Sequence, residues 1–215
     1  MMMSRFMRFA YVSLAALCCV APMGVALAQG VPAVLRPADR GWIDRIQDTL
    51  SGLSTLQARF AQTAPDGAVT HGTASLARSA GQPGRMRFDY DAPSPLLLVG
   101  NDGKLVFQDR SIDQVTTMPL ERTPLGLLLR PNPKLSGDVT VTHFVHEHGQ
   151  VDVALVRTAE PSGGTLTLHF SDQPLALQGW TVVDAQGRET KIALSDVKLG
   201  LSLAPSLFVL PRSSD

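Results

Sequence analysis

The sequence has little cysteine, few aromatic side chains and no excess of charge of either sign. Two of its 215 residues are cysteine, aromatic residues make up 6%, and 19 basic side chains balance 19 acidic ones. Nucleic-acid-binding proteins normally carry a basic patch and a high isoelectric point, so the neutral balance argues against that class. A hydrophobic content of 44% is too high for an intrinsically disordered chain. The composition therefore indicates a globular protein with no nucleic acid as a partner.

Residues 1–28 have the pattern of an export signal. Arg5 and Arg8 precede an uncharged, mostly apolar run, and Ala26-Leu27-Ala28 supplies the small residues that precede a cleavage site. The apolar run is short for a transmembrane helix, and a proline and a glycine interrupt its extension. We expect cleavage after Ala28 and localisation in the periplasm.

Both cysteines, Cys18 and Cys19, lie inside this signal, so the exported chain has no disulfide and no thiol nucleophile. Neither follows the small residue that a lipoprotein signal requires, which predicts a chain without a lipid anchor. Loss of residues 1–28 removes two arginines and leaves 17 basic against 19 acidic side chains, a net charge of −2. The stability of the exported chain must then come from packing.

The exported chain is expected to consist of an N-terminal tether, residues 29–38, and a single domain, residues 39–215. No repeat or low-complexity tract marks a further boundary. Segments with period-2 alternation dominate, as is typical of half-buried strands. The cleanest alternation places Met86, Phe88 and Tyr90 on one face. About ten or eleven strands with short turns indicate one antiparallel sheet, strongly curved or barrel-like.

One amphipathic helix is expected before the sheet. Trp42, Ile46 and Leu50 recur at helical spacing. Asp39 is the expected N-cap of this helix, and Gly52 its expected end. We expect the apolar face of the helix to cover part of the concave face of the sheet.

A second, shorter helix is expected over residues 123–130, in the middle of the strand pattern. Thr123-Pro124 has the form of an N-cap followed by proline at the first helical position. The residues after it are apolar on nearly all sides, so the helix must be buried on several sides or must cover an apolar surface and move. The pattern alone leaves open whether it plugs a core or closes a cavity suited to acyl chains.

Catalytic and metal-binding motifs are absent from the sequence. It contains no G-x-S-x-G, H-E-x-x-H, P-loop or G-x-G-x-x-G pattern. Asp89 and Asp91 resemble a carboxylate pair, but alternation places both on the polar face of a strand. His143, His146 and His148 are the one metal-like cluster, and a polar hairpin tip explains them better than a site with converging ligands. We predict no enzyme activity, no cofactor and no metal; a periplasmic hydrolase on a β-rich scaffold is the alternative from another class.

Across nearly the whole exported chain, the motifs together resemble the LolA family of periplasmic outer-membrane lipoprotein carriers. No single motif is specific, but their order and spacing, together with the export signal, are fairly specific. The matching pieces are Leu56-Gln57-Ala58-Arg59-Phe60-Ala61-Gln62-Thr63, Gly72, Gln82-Pro83-Gly84-Arg85-Met86-Arg87-Phe88-Asp89-Tyr90, Pro93, Val99-Gly100-Asn101-Asp102-Gly103-Lys104, Gln114-Val115-Thr116, Thr123-Pro124-Leu125 and Phe208-Val209-Leu210-Pro211.

The resemblance implies a mainly β (α+β) fold: an unclosed antiparallel β-barrel of eleven strands with a helical lid. It implies a chaperone that binds the acyl chains of lipoproteins released from the inner membrane and carries them to the outer membrane. The implied partners are acylated lipoproteins, an inner-membrane lipoprotein-releasing ABC transporter and, where one exists, an outer-membrane lipoprotein receptor; we expect a monomer. The alternatives of the same fold are the receptor itself, which the missing lipid-anchor signal disfavours, and a glycolipid-binding relative.

The resemblance also assigns residues to the expected acyl site. The cavity-lining residues are expected to be Phe60, Met86, Phe88, Tyr90, Leu96, Leu98 and Phe107. The lid residues are expected to be Leu125, Leu127, Leu128 and Leu129. Family members carry an arginine just before the proline that Pro83 matches, and this arginine holds the lid closed. Gln82 occupies that latch position here, so we expect a weaker latch.

Overall fold

A computed structural model describes residues 30–79 and 81–210, so the expected export signal lies outside the described residues. The described part contains one α-helix and eleven strands. The elements are α1 (Pro37–Gly52), β1 (Thr55–Thr63), β2 (Val69–Ser79), β3 (Gln82–Tyr90), β4 (Leu96–Asn101), β5 (Lys104–Asp109), β6 (Gln114–Pro119), β7 (Val139–Glu147), β8 (Gln150–Arg157), β9 (Glu160–Asp172), β10 (Leu175–Asp184) and β11 (Glu189–Leu199). No helix among the described residues is long and apolar enough to cross a membrane.

The eleven strands form one antiparallel sheet in the order β6-β5-β4-β3-β2-β1-β11-β10-β9-β8-β7. Every neighbouring pair is consecutive in sequence except β1 and β11, which join the two ends of the chain. Within the described residues, β6 and β7 are the free edges and do not pair, so the sheet curves without closing. The expected unclosed antiparallel barrel with a covering segment is confirmed.

Most apolar residues of the strands face inward and form one core, whereas Leu97 and Val99 of β4 are buried on the outer face. Cross-strand partners share a face, and Phe88 lies opposite Leu98, which lies opposite Phe107. The helix α1 adds Ile46, which is fully buried, and Leu50 to this concave face. The amphipathic helix expected from its apolar spacing is therefore present, and its apolar face covers part of the sheet.

The helix α1 begins earlier than expected. Its N-cap is Arg36 and its first residue is Pro37, whereas Asp39 lies at the third helical position. Asp39 instead reaches back, and its Oδ2 accepts a hydrogen bond from the Arg36 backbone N–H at 2.9 Å. Hydrogen bonds from Arg36 hold the pKa of Asp39 below its usual value. The expectation of Asp39 as N-cap was wrong because proline at the first position, with its φ preset for a helix, starts the helix three residues sooner. Gly52 is its last residue, as expected.

The expected helix over residues 123–130 is only a short 3₁₀ turn, Pro124–Leu127. Its cap is as expected, since Thr123 Oγ1 accepts a hydrogen bond from the Gly126 N–H at 3.3 Å. The Leu128 N–H bonds to the Leu125 carbonyl, an i to i+3 contact that defines the tighter 3₁₀ geometry. The proline at 131 keeps Arg130 out of helical conformation, so no helix could continue past the expected end.

A last segment crosses the outer face of the sheet after β11. It contains a 3₁₀ turn, Pro205–Phe208, that packs on β3 and β4. Phe208 is fully buried there, with the Arg85 guanidinium 5.1 Å from its ring centroid. Arg87 Nη1 donates to the Leu207 carbonyl at 3.1 Å. The strand β3 is therefore covered on both faces, by the core inside and by this segment outside.

Candidate functional site

The concave face of the sheet carries a cluster of aromatic rings. The Phe60 ring centroid lies 5.0 Å from that of Phe88 and 5.1 Å from that of Tyr90, and Phe88 meets Trp180 edge-on at 6.0 Å. Burial raises the pKa of Tyr90 to about 12, and its hydroxyl donates to Gln62 Oε1 at 2.7 Å. The four rings, brought from β1, β3 and β10, form an apolar wall with one polar contact at its border.

Two glycines make room for this wall. A Cβ at Gly72 would lie 2.5 Å from the Phe60 ring and 2.1 Å from the Asp89 carbonyl oxygen. A Cβ at Gly100 would lie 2.6 Å from the Met86 side chain. These distances are too short for any larger residue at either position. The expected cavity residues therefore lie directly over glycine backbone, Phe60 over Gly72 and Met86 over Gly100.

The expected lid residues lie over the aromatic wall. We call residues 120–135 the lid segment, since they run between β6 and β7 across the open side of the sheet. Leu127, Leu128 and Leu129 are buried, and Leu125 is half-buried against the core. Leu129 packs so close to β3 that a Cβ at Gly84 would lie 2.7 Å from its carbonyl oxygen. The structure therefore brings all four lid leucines onto the concave face.

The space beneath the lid segment is nearly full. One apolar void of about 20 Å³ remains, bordered by Leu128, Phe88 and Trp180. A second void of about 10 Å³ lies on the β8–β9 side, and Leu50 and Leu128 border both. Each of these voids has room for about one water molecule, far less than an acyl chain needs. The arrangement is a covered one, in which the lid leucines themselves fill the concave face.

Few polar contacts attach the lid segment to the sheet. The Gly84 N–H donates to the Leu129 carbonyl at 2.7 Å, and the Leu120 N–H donates to the Gly103 carbonyl at 2.8 Å. On the far side, Arg157 Nη1 donates to the Glu121 carbonyl at 2.8 Å. Each of these bonds joins the lid segment to a different strand or turn, and none is a rung between two strands.

Arg78 is a further attachment that the sequence analysis missed. Its guanidinium lies beneath the lid segment and donates to the carbonyls of Leu50 and, at 3.0 Å, Leu53, both at the end of α1. Its Nη1 also lies 3.4 Å from the carbonyl oxygen of Arg130 in the lid segment. Desolvation lowers the pKa of Arg78. One buried cation thus joins β2, the helix and the lid segment; its sequence signal was an arginine ending a strand of small apolar residues.

The expected latch residue, Gln82, has a different position. It is exposed at the start of β3, and among the described residues no side-chain hydrogen bond is formed by its amide. Arg85 and Arg87 point to the outer face, as alternation indicated, where they contact the segment that contains Phe208. Of the residues considered for a latch, Arg78 alone hydrogen-bonds the lid segment in the part of the chain described here.

Three of the expected cavity residues lie outside the part of the concave face that the lid leucines cover, which we call the covered region. Leu96, Leu98 and Phe107 are half-buried on β4 and β5, with Leu98 packed against the margin of the core. On its other side, Phe107 of β5 pairs with the exposed Thr116 of the edge strand β6. We call these three residues the open ledge, because the concave face continues there beyond the lid leucines.

The polar residues considered earlier take structural positions. Asp89 binds Arg87 at 2.7 Å, and Asp91 pairs with Arg59. The His146 ring lies 4.3 Å from that of Trp42, and its Nε2 is 3.1 Å from the Asp172 carboxylate. Among residues 30–79 and 81–210, no three histidine, cysteine or acidic side chains converge as a metal site.

The sequence is similar to known lipoprotein carrier proteins. The sequence profile of the family described as "Outer membrane lipoprotein carrier protein LolA" matches residues 51–211. An outer-membrane lipoprotein carrier protein from Pseudomonas paraeruginosa is 30% identical over 85% of this chain and 89% of its own length. One from Azotobacter vinelandii is 31% identical over 89% of this chain and 96% of its own. A solved LolA superfamily protein from Nitrosomonas europaea superposes with a TM-score of 0.41 at 12% identity, covering 80% of this chain and 97% of that one.

Proposed function

This chain belongs to the LolA family of outer-membrane lipoprotein carrier proteins, and from that membership we propose that it shields the acyl chains of lipoproteins in transit through the periplasm. The proposed acyl site is the concave face under the lid segment. Its wall is formed by Phe60, Met86, Phe88 and Tyr90, and its cover by the lid leucines. The open ledge extends the same apolar face.

The observation that supports this function is the connection of the lid segment to the sheet. The lid segment links the two free edges, β6 and β7, and it contributes no rung to the ladder. It can therefore move away from the concave face without breaking any strand pairing. A strand of the sheet could not do this, because its departure would break the ladder.

The energetics of exchange between lid and ligand are nearly balanced. Exposing the three buried leucines costs about 1.5–3 kcal/mol each, roughly 5–9 kcal/mol in total. An acyl chain gains about 0.8 kcal/mol for each methylene buried, so about a dozen methylenes return roughly 10 kcal/mol. A ligand with one or more long acyl chains can thus replace the lid leucines, whereas a short one cannot.

Arg78 is the residue that we propose as the latch of the covered arrangement. It hydrogen-bonds carbonyls at both covering elements, Leu53 at the C-terminal cap of α1 and Arg130 in the lid segment. Outward movement of either element breaks a charge-assisted hydrogen bond, which is stronger than a neutral one. This assignment replaces Gln82, whose exposed position gives it no contact with the lid segment.

The route of the cargo belongs to the same proposal. The carrier would be exported by cleavage after Ala28, receive acylated lipoproteins from an inner-membrane ABC transporter as a monomer, and deliver them to an outer-membrane receptor where one exists. Lipid extraction from the protein isolated from its native periplasm, followed by mass spectrometry, tests the cargo. Triacylated lipoprotein supports the proposal, and a glycolipid would overturn it.

Trp180 offers a direct test of where the acyl chain binds. The chain has two tryptophans, so Trp42→Phe leaves Trp180, which borders the void under the lid, as the only reporter. A triacylated lipopeptide with a nitroxide on its acyl chains should quench Trp180 fluorescence. Leu128→Glu should abolish this quenching, because the ligand would meet a charge that it cannot solvate.

The control for this experiment is Ile112→Glu, which changes an apolar residue that is 65% exposed. It should leave the quenching unchanged. Leu128→Ala, which removes volume without adding charge, should fold and retain binding. Unquenched Trp180 in the parent protein, or full quenching in a folded Leu128→Glu variant, would contradict the proposed site.

A further inference from the structure

A second apolar concavity lies outside the lid segment. It is a groove of about 160 Å³ between the end of α1, the start of β10 and the end of β11. Leu199 and Val197 of β11 line it, and they are among the most exposed large apolar residues described, at 61% and 39%. Leu199 lies directly opposite the buried Leu56 in the β1–β11 register, so it belongs to the concave face and not to the outer one.

The groove adjoins the space under the lid segment. Leu53, Leu56 and Leu177 border both the groove and the internal void beside Phe88. These three side chains are therefore the partition between an apolar surface that solvent reaches and the covered aromatic wall. Arg78 hydrogen-bonds the Leu53 carbonyl, so the latch and the partition share a residue.

The chemistry of the groove favours a hydrocarbon over a peptide. No charged residue lines it, and its two polar side chains are already hydrogen-bonded within the chain. Thr49 Oγ1 donates to the Arg45 carbonyl at 2.8 Å, and Gln178 Nε2 donates to Ser171 Oγ at 3.1 Å. The strand β11 pairs with β10 only from Glu189 to Ala193, so beside the groove its backbone is paired with β1 alone, and the preference for a hydrocarbon rests on the apolar lining.

We propose that this groove is an acyl-chain subsite, which receives one hydrocarbon chain of the lipoprotein cargo while the lid segment still covers the concave face. This inference rests on the proposed carrier function and adds a first contact to it. An acyl chain in the groove touches Leu53, Leu56 and Leu177, the only side chains among the described groove residues that also border the void. Displacement of this partition would carry the chain inward as the latch yields.

The test uses the nitroxide-bearing triacylated lipopeptide and backbone amide signals measured by nuclear magnetic resonance. At low probe occupancy, the amides of Leu175, Leu177 and Leu199 should broaden more strongly than those of Phe88 and Trp180. Leu199→Glu should lower the affinity for the probe about tenfold and remove the broadening at the groove. Its exposure means that the substitution leaves the fold intact. Val69→Glu, at an apolar position that is 55% exposed on β2, is the matched control and should change neither.

Each other result contradicts a specific part of the inference. Broadening at Phe88 and Trp180 without broadening at Leu199 would overturn the subsite and leave the carrier function standing. Broadening at neither place would overturn both. Groove signals that shift with protein concentration in the absence of probe would identify a second copy of the chain as the occupant, and would replace the acyl chain in this role.

Discussion

The concave face has two regions that the sequence presents alike and the structure separates. In the covered region, Phe60, Met86 and Phe88 are 2–3% exposed beneath the lid leucines. On the open ledge, Leu98 and Phe107 continue the same face across β4 and β5 but stay half-buried. Both regions are apolar on this face, and neither strand pattern shows how far the lid leucines reach, so pattern alone cannot divide them.

The difference between the two regions shows how a binding surface can also be a core. The covered region supplies the close packing that stabilises the protein, and in the proposed mechanism it becomes a binding surface only when the lid leucines leave. The open ledge is less closely packed. The proposed carrier would use the first region to hold its fold while empty and the second to extend the apolar surface for the ligand.

The sharpest way to test this comparison is a pair of truncations. Phe88→Ala should lower the free energy of unfolding by about 3–5 kcal/mol, because a buried ring is removed from between Phe60 and Trp180. Phe107→Ala on the ledge should cost less than about half of that, because its ring is already partly solvated. Urea denaturation of both variants measures the difference. Equal losses would mean that the ledge is core as well.

The latch gives the next largest effect. Arg78→Met should lower the free energy of unfolding by about 1–3 kcal/mol, since it leaves carbonyls of α1 and the lid segment without their buried donor. Amide hydrogen exchange should become faster in the lid segment and in the strands that it covers, because the lid segment opens more often. The exchange rates of β5 amides should not change. Gln82→Ala is the control and should stay within about 0.5 kcal/mol of the parent protein. Faster exchange in Gln82→Ala but not in Arg78→Met would restore Gln82 as the latch.

The smallest effect is expected at Tyr90, on the border of the covered region. Burial raises its pKa from 10.0 to about 12 in the folded protein. The folded state therefore holds the phenolic proton at pH values where the unfolded state releases it, so stability is lost as the pH rises from about 10 toward about 12. Tyr90→Phe should remove this loss, at a cost of about 1 kcal/mol at neutral pH for the bond to Gln62.

The titration of Tyr90 can be observed directly. The sequence has two tyrosines, and Tyr11 lies in the expected export signal, so Tyr90 is the only tyrosine of the exported chain. Its tyrosinate absorbance should therefore develop well above pH 10. Titration near pH 10 would instead mean that the Tyr90 hydroxyl is solvated, like the side chains of the open ledge and unlike those of the covered region.

Much of the fold could be predicted because its signals are local. Period-2 alternation marked the strands, and Thr123 was recognised as the cap of the turn that begins the lid leucines. Two boundaries failed, at Asp39 and over residues 123–130. Pro37 starts α1 three residues earlier than Asp39 as N-cap indicated, and the lid turn ends at Leu127 after a single 3₁₀ turn.

The candidate site was less predictable, because its defining contacts are remote in sequence. Arg78 meets Leu53 and Arg130 only after β2, α1 and the lid segment have come together. Gln82 matches the family's arginine by its position directly before a proline, yet its side chain faces solvent. The division of cavity residues into covered region and open ledge depends on how far the lid leucines reach, which no strand periodicity encodes.

The strand order has a further consequence for the order of folding. Every pairing in the sheet joins consecutive strands, so each can form as a local hairpin, except that between β1 and β11, where Phe60 meets Leu194. Local pairings close short loops and form quickly, whereas this one must close nearly the whole domain. During synthesis β1 therefore waits for the last strand to arrive, with β2 as its only neighbour. The pairing of β1 with β11 is the step that fixes the topology of the sheet. Substitutions at this pair of strands should slow folding more than substitutions at any other pair.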